Sequence, residues 1–376
     1  MSCLAEGKSV EVPMRRLAVL IGVVLLFGSL SARAESPTAA PPAPKAGAGL
    51  WPAGLPVYDH VVIVIEENKD YDEIVGNPRA PYINGVLLKE GASFTRMYAE
   101  EHNSEGNYFW LFSGADQGVG FEDQVPSAKT RSDYPFTAPN LASQLLAAGR
   151  TFKGYSEGLP AVGSTVAHAG LYARKHVPWI SFANVPDGSD AATSCNLPFS
   201  DFPSAGHFDE LPTVAIVIPD LDNDMHNCYP PNCLASPLAC CISKGDAWLR
   251  KNLGAYVRWA KTHNSLLILT FDESDDKSDY AGLTNPAVDP AAFGPCKQGG
   301  CGQLCQDLQN RIVTIFAGAH TKPGNYAEGK GITHVNILRT LEAMYGLPKA
   351  GAQQPNAAGY GIGDGAIVTD VFLPTR

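Results

Sequence analysis

The sequence predicts an α/β protein built on a mostly parallel central sheet with helices on both faces. Short runs that are apolar on both strand faces, HVVIVIE (60–66), TVAIVIP (213–219) and SLLILTF (265–271), alternate with segments whose apolar residues recur at helical spacing. Strands with no polar face must be covered on both sides, as in parallel sheets packed between helices. Polar clusters follow three of these runs, at the carboxyl edge where such sheets bind ligands.

Taken in order, strand 60–66 is followed by a helix at 81–90 closed by Gly91 and a strand near 94–98. A helix then follows Ser104 and closes at Gly114, and NLASQLLAA (140–148) forms another, stopped by Gly149. After strand 213–219 come a helix over 246–263, strands 265–271 and 311–319, and a helix over 334–346.

The chain has 376 residues, 45% of them hydrophobic, enough for a substantial core. Its formal charge of -10 argues against a nucleic-acid partner, which would call for a basic face. Arg15 and Arg16 precede an apolar run over 17–30 and a small-residue site at Ala32-Arg33-Ala34, so residues 1–34 read as a secretory signal peptide, with Met14 an alternative start. Cleavage there leaves no stable membrane span and a periplasmic or secreted protein. Residues 35–56, rich in proline and alanine, read as a linker, 57–349 as the catalytic domain and 350–376 as a C-terminal tail.

Of the nine cysteines, Cys3 falls in the leader. The remaining even number suggests up to four disulfides in an exported protein, most of them in Cys-rich inserts. Zinc binding is the competing reading for Cys296, Cys301 and Cys305.

Strand 60–66 ends in Glu66, Glu67 and Asn68; strand 213–219 leads to Asp220, Asp222, Asp224 and His226; strand 265–271 leads to Asp272 and Glu273. Carboxylates forced together repel, and a divalent cation relieves that repulsion, while any one cluster alone also reads as solvated loop. Ser104, at the start of its helix, has two open roles: N-cap, or a hydroxyl placed where free amides and the helix dipole would seat a phosphate.

The ordered set Glu67-Asn68-Lys69, APYIN (80–84), His102-x-Ser104-x-x-Asn107-Tyr108, FKGYSE (152–157), YARKHVPW (172–179), NDMH (223–226), GDAWL (245–249), TFDE (270–273), GAH (318–320) and the His334 helix resembles the bacterial and fungal phosphoesterase family. That family comprises secreted acid phosphatases and phospholipases C, a branch of the alkaline phosphatase superfamily. The resemblance covers roughly residues 57–349. It implies an alkaline-phosphatase-like fold and a metal-assisted acid phosphatase that takes a small phosphorylated substrate, with phospholipid head groups included. Ser104 would be the phosphate acceptor, and Glu67, Asn68, Asp272 and Glu273 ligands of a divalent metal. Asp224, His226 and His334 would serve a second metal or the phosphoryl oxygens, and His102 phosphate binding or proton transfer. Asn107, Lys175 and His176 would contact substrate. Oxygen-rich ligands favour Ca, Mg or Mn over a pure Zn site. The sequence departs from the family at Asn103 and Glu105-Gly106, where prolines are usual, and in a Cys-rich insert over about 280–309.

Three other readings stand beside this one. Gly154-Tyr155-Ser156-Glu157-Gly158 fits the G-x-S-x-G of serine esterases, but Pro160 and Gly163 interrupt the helix that an elbow serine must enter. Phosphodiester hydrolysis or phosphoinositide monoester hydrolysis would use the same site, LPAVGSTV (159–166) and YARKHVPW resembling phosphatases of the latter kind. A non-catalytic binding protein would leave the strand-end carboxylates facing solvent. Trp248 and Trp259 read as packing residues, Asp246 as an N-cap or a site residue, and His263 as a contact with its helix's C-terminus.

Overall fold

The structure is a computed structural model that describes residue 51 and residues 54–101, 104–119, 123–226, 237–274, 310–326, 331–355, 357 and 362–373. The leader, most of the linker, His102 and the cysteine-bearing stretches 227–236 and 275–309 lie outside the described residues.

Eight strands form the central sheet: β1 (His60–Glu66), β2 (Ala92–Phe94), β3 (Phe152–Ser156), β4 (Asn196–Pro198), β5 (Val214–Ile218), β6 (Ser265–Phe271), β7 (Thr314–Gly318) and β8 (Gly324–Tyr326). Their spatial order is β8-β2-β7-β6-β1-β5-β3-β4. β1 pairs in parallel with both β5 and β6, and β3 in parallel with β5 and β4. Only β7 runs against the rest, antiparallel to both β6 and β2. The carboxyl ends of β1, β5 and β6 therefore meet on one edge, as the sequence expects. Every residue of β5 and β6 is buried, so both faces of the sheet are covered.

The helices α1 (Ser104–Ser113), α2 (Leu141–Ala147) and α5 (His334–Tyr345) pack on one another, while α3 (Pro237–Asn252) and α4 (Gly254–Ala260) form a second group against β6 and β7. All of α1 is buried, which explains the aromatic run behind Ser104: Phe109 and Phe112 both pack on Phe182. The helix expected over 246–263 begins earlier, at Pro237, and breaks at Leu253. Asp246 caps a different segment. Its carboxylate accepts the backbone N–H groups of Tyr82 and Ile83 at 2.9 and 2.8 Å, tying α3 to a turn distant in sequence. His263 Nδ1 donates to Trp259 O at 2.8 Å, the expected helix-end contact, and Trp248 is buried against Phe199.

The segment after residue 349 packs into this core. Ile362, Val368, Val371 and Phe372 are buried, and Lys322 N donates to Val371 O at 2.8 Å. Arg339, fully buried, holds it from α5, pairing with Glu342 at 2.8 Å and Asp364 at 2.9 Å and donating to the Ala350 and Asp364 carbonyls. Removing one member of a buried charge network strands the others. Arg339→Met is therefore expected to destabilise the protein by roughly 3–5 kcal/mol, read as a lower midpoint in urea unfolding.

Cys195 is a free, buried thiol, which corrects the even-count reading: once Cys3 is set aside, at most three disulfides can form. Cys241 is disulfide-bonded.

Candidate active site

The site begins where three neighbouring strands stop. Register pairs Glu66 with Phe271, and the backbone continues the ladder one step beyond: Asp272 N donates to Glu66 O at 3.0 Å, and Glu67 N to Asp224 O at 2.6 Å. Asn68 N donates to Asp272 Oδ1 at 3.0 Å. The loops after β1, β5 and β6 are thus fastened to one another by main-chain hydrogen bonds, and their carboxylates have little freedom to separate.

Ser104 enters this group from α1. Its Oγ donates to Glu67 Oε2 at 3.1 Å and Glu273 Oε1 at 3.3 Å, so the hydroxyl faces the carboxylates instead of capping its own helix. Glu67, completely buried, is the centre of the group. Its Oε1 accepts the Tyr108 hydroxyl at 2.5 Å and lies 3.1 Å from His176 Nε2, and its Oε2 lies 3.3 Å from His226 Nδ1. Neither imidazole contact has hydrogen-bond alignment. Tyr108 also stacks on the His176 ring, with centroids 5.1 Å apart. Sequence reading quoted Tyr108 without assigning it a role, though its i, i+4 spacing from Ser104 places it on the same helix face.

Burial opposes charge on Glu67, yet the His176 and His226 imidazoles and the Lys175 ammonium outweigh it and hold this carboxyl well below the usual range. Burial also pushes the His176 imidazole down to about 4, so at neutral pH Glu67 carries the charge of that pair and His176 is a neutral ring. Asp224 and Asp272 move the other way, raised well above the carboxylate range by burial and then by the charge on Glu67. Of these three acids, the surroundings favour charge on Glu67 and oppose it on Asp224 and Asp272.

The donor set fits a hard divalent cation. Asp224 Oδ2 and Asp272 Oδ2 are buried without a hydrogen-bond partner, and a cation would relieve the burial and repulsion that oppose charge on both acids. Among the described residues, no three acids or imidazoles form a ready-made coordination shell, so the fit rests on the donor chemistry and those orphaned oxygens. His334 sits apart from Glu67 in its contacts. Its Nε2 is bonded to Phe271 O at 2.8 Å and its Nδ1 is buried and unpartnered, which leaves a bare nitrogen lone pair if Nε2 carries the proton.

Other expected residues are differently placed. Asn107, expected at the substrate, spends its amide on the loop before the helix, accepting from Glu100 N at 2.9 Å and Glu101 N at 3.1 Å and donating to Glu101 O. Lys175 pairs with Asp123, a residue the sequence did not single out. Gly106, one of the departures from the family, has a packing reason: a Cβ there would lie 1.4 Å from Glu101 Oε1. Its neighbour Glu105 is buried, and burial followed by Asp123 pushes its carboxyl up to about 8. The alternative serine, Ser156, is fully buried as the last residue of β3 and enters a turn, not a helix.

Residues 79–348 match the model of the Phosphoesterase family. Over 306 residues the sequence is 44% identical to a phosphatidylinositol-3-phosphatase of Mycobacterium tuberculosis, covering 81% of this chain and 82% of that protein. It is 26% identical to a probable acid phosphatase of Kluyveromyces lactis, covering 78% of this chain and 60% of the yeast protein. A solved alkaline phosphatase superfamily protein from Vibrio parahaemolyticus shares the fold, with a TM-score of 0.51 at 12% identity over 84% of this chain and 72% of that one.

Proposed function

Because this chain belongs to the Phosphoesterase family and is a phosphoric ester hydrolase, we propose that it is a metal-dependent phosphomonoesterase working through a phosphoserine at Ser104. The observation that carries the reading is the Ser104 hydroxyl, at the start of a buried helix and 3.1 and 3.3 Å from carboxylates on the loops after two different strands.

In this mechanism Ser104 Oγ bonds to phosphorus as the ester oxygen leaves, and water then hydrolyses the phosphoserine. The single Ser104 proton lies within reach of both Glu67 and Glu273, and Glu273 can take it. The first-turn amides of α1 face the negative charge of the phosphoryl oxygens. His226, about a quarter exposed and 3.3 Å from Glu67, is the group from which the leaving oxygen can draw a proton. Tyr108 and the neutral His176 fix the orientation of Glu67. Glu67, Asp272, Glu273 and Asp224, with Asn68 and His334 beside them, would hold the divalent cation. When bound, it supplies neutralising charge and lowers the hydroxyl pKa.

Chelation followed by dialysis is expected to abolish p-nitrophenyl phosphate hydrolysis, and readded Ca, Mg, Mn or Zn to restore it. Undiminished activity after chelation would remove the cation from the mechanism. The 44% identity to a phosphatidylinositol-3-phosphatase favours phosphoinositide monoesters as the substrate class. Activity on vesicles containing phosphatidylinositol 3-phosphate, set against bis(p-nitrophenyl) phosphate, tests that choice, and a strong diester preference would reverse it. Export through the N-terminal leader completes the proposal; among the described residues, no helix is long and apolar enough to cross a membrane.

A further inference from the structure

One carboxylate bridges two donors immediately beside Ser104. Asp123 Oδ1 accepts the backbone N–H of Glu105 at 3.0 Å, and Asp123 Oδ2 accepts from Lys175 Nζ at 2.7 Å. Glu105 is the second residue of α1, so the bridged amide belongs to the helix's first turn. A helix amide and an ammonium are the donors that a phosphoryl oxygen seeks. The Lys175 charge also interacts with Glu67 and Asp272, which places it within the field of the strand-end acids.

Two further observations set this carboxylate apart from an ordinary surface pair. The Glu105 side chain is buried with Oε2 unpartnered, and among the charges acting on it Asp123 comes first and Lys175 second. Asp123 itself has a φ of 46°, in the left-handed region that, outside glycine, mainly asparagine and aspartate adopt. The pair is also within reach of solvent, with the Lys175 and Asp123 side chains 20% and 26% exposed.

We propose that the Asp123 carboxylate is an internal competitor for the phosphoryl position and so sets the affinity of this site for phosphate. An incoming phosphoryl group takes over the Lys175 ammonium and the Glu105 amide, and Asp123 withdraws to solvent. This rests on the reading of Ser104 as the phosphate acceptor. Asp123 is a positioning residue here: it holds the two donors in place and yields them.

The test uses the full chain and two probes, inorganic phosphate by calorimetry and p-nitrophenyl phosphate by steady-state kinetics. Asp123→Asn keeps an oxygen for the Glu105 amide and removes the charge. It is expected to tighten phosphate binding and lower KM on the order of tenfold while kcat moves less. Lys175→Met should weaken phosphate binding, and adding Asp123→Asn to it should produce a smaller gain than in the wild type, since only the Glu105 amide is left for the competitor to release. Asp123→Ser provides the same comparison if the asparagine variant folds poorly. Phosphate affinity that is unchanged or weaker in both Asp123 variants would overturn the proposal, leaving a structural ion pair. Wild-type hydrolysis with that result leaves the phosphatase reading intact. A tighter Asp123→Asn complex with no wild-type hydrolysis instead keeps this inference and removes the reaction.

Discussion

Ser104→Ala is expected to slow p-nitrophenyl phosphate hydrolysis by about 10⁴-fold or more, the scale on which enzymes lose turnover when the attacking group is removed. Nothing near Ser104 can replace it, because its neighbours are carboxylates and imidazoles already engaged with one another. The fold should survive. The hydroxyl's one proton is shared between two acidic side chains, and losing such a hydrogen bond costs about 1 kcal/mol, so thermal unfolding remains cooperative and only slightly shifted. Ser156→Ala, made in parallel, should leave turnover unchanged, since that serine ends a strand in the buried core. Retained activity in the Ser104 variant together with loss in the Ser156 variant would replace the phosphoserine with an esterase-type mechanism.

Glu67→Gln is the second large effect. The glutamine keeps the shape and one acceptor oxygen but removes the carboxyl of the central three whose surroundings favour charge. Tyr108, Ser104, His176 and His226 all point at that charge. A loss of roughly 10³–10⁴-fold in kcat is expected, comparable to losing a carboxylate that orients a catalytic group elsewhere. The repulsion on Asp224 and Asp272 falls at the same time, so the two should ionise at lower pH than in the native protein. A kcat that stays within about a factor of ten of wild type would show Glu67 to be a structural acid and sink its assignment.

The strands that carry the site were legible because burial on both faces leaves a continuous apolar run, and the acids that follow β1, β5 and β6 mark their carboxyl ends. β3 was hidden. Its sequence FKGYS mixes a lysine, a glycine and a serine, and the glycine is required where the Trp179 ring closes on it, with a Cβ at that position falling 2.2 Å from ring carbons. The start of α3 was misplaced for a related reason: Asp246 reads as an N-cap, yet it and Gly245 lie inside the helix, where Met225 packs against the glycine. Within the site, the spacing of Glu67, Ser104, Asp272 and Glu273 was visible from the strand ends and the family resemblance. The roles of Asp123 and Asn107 were not, because each is decided by which backbone group its side chain reaches across a loop. Sequence patterns report which face a residue occupies, not which amide it finds.

Glu67 gathers a helix start, the turn at Arg174–His176 and the end of a loop beyond β5 onto two oxygen atoms. Evolutionary change here is consequently epistatic: a substitution at Ser104, Tyr108, His176 or His226 alters the background in which the other three are selected. Substrate preference is then freest to drift along the rim, at positions such as the partly exposed Asp123.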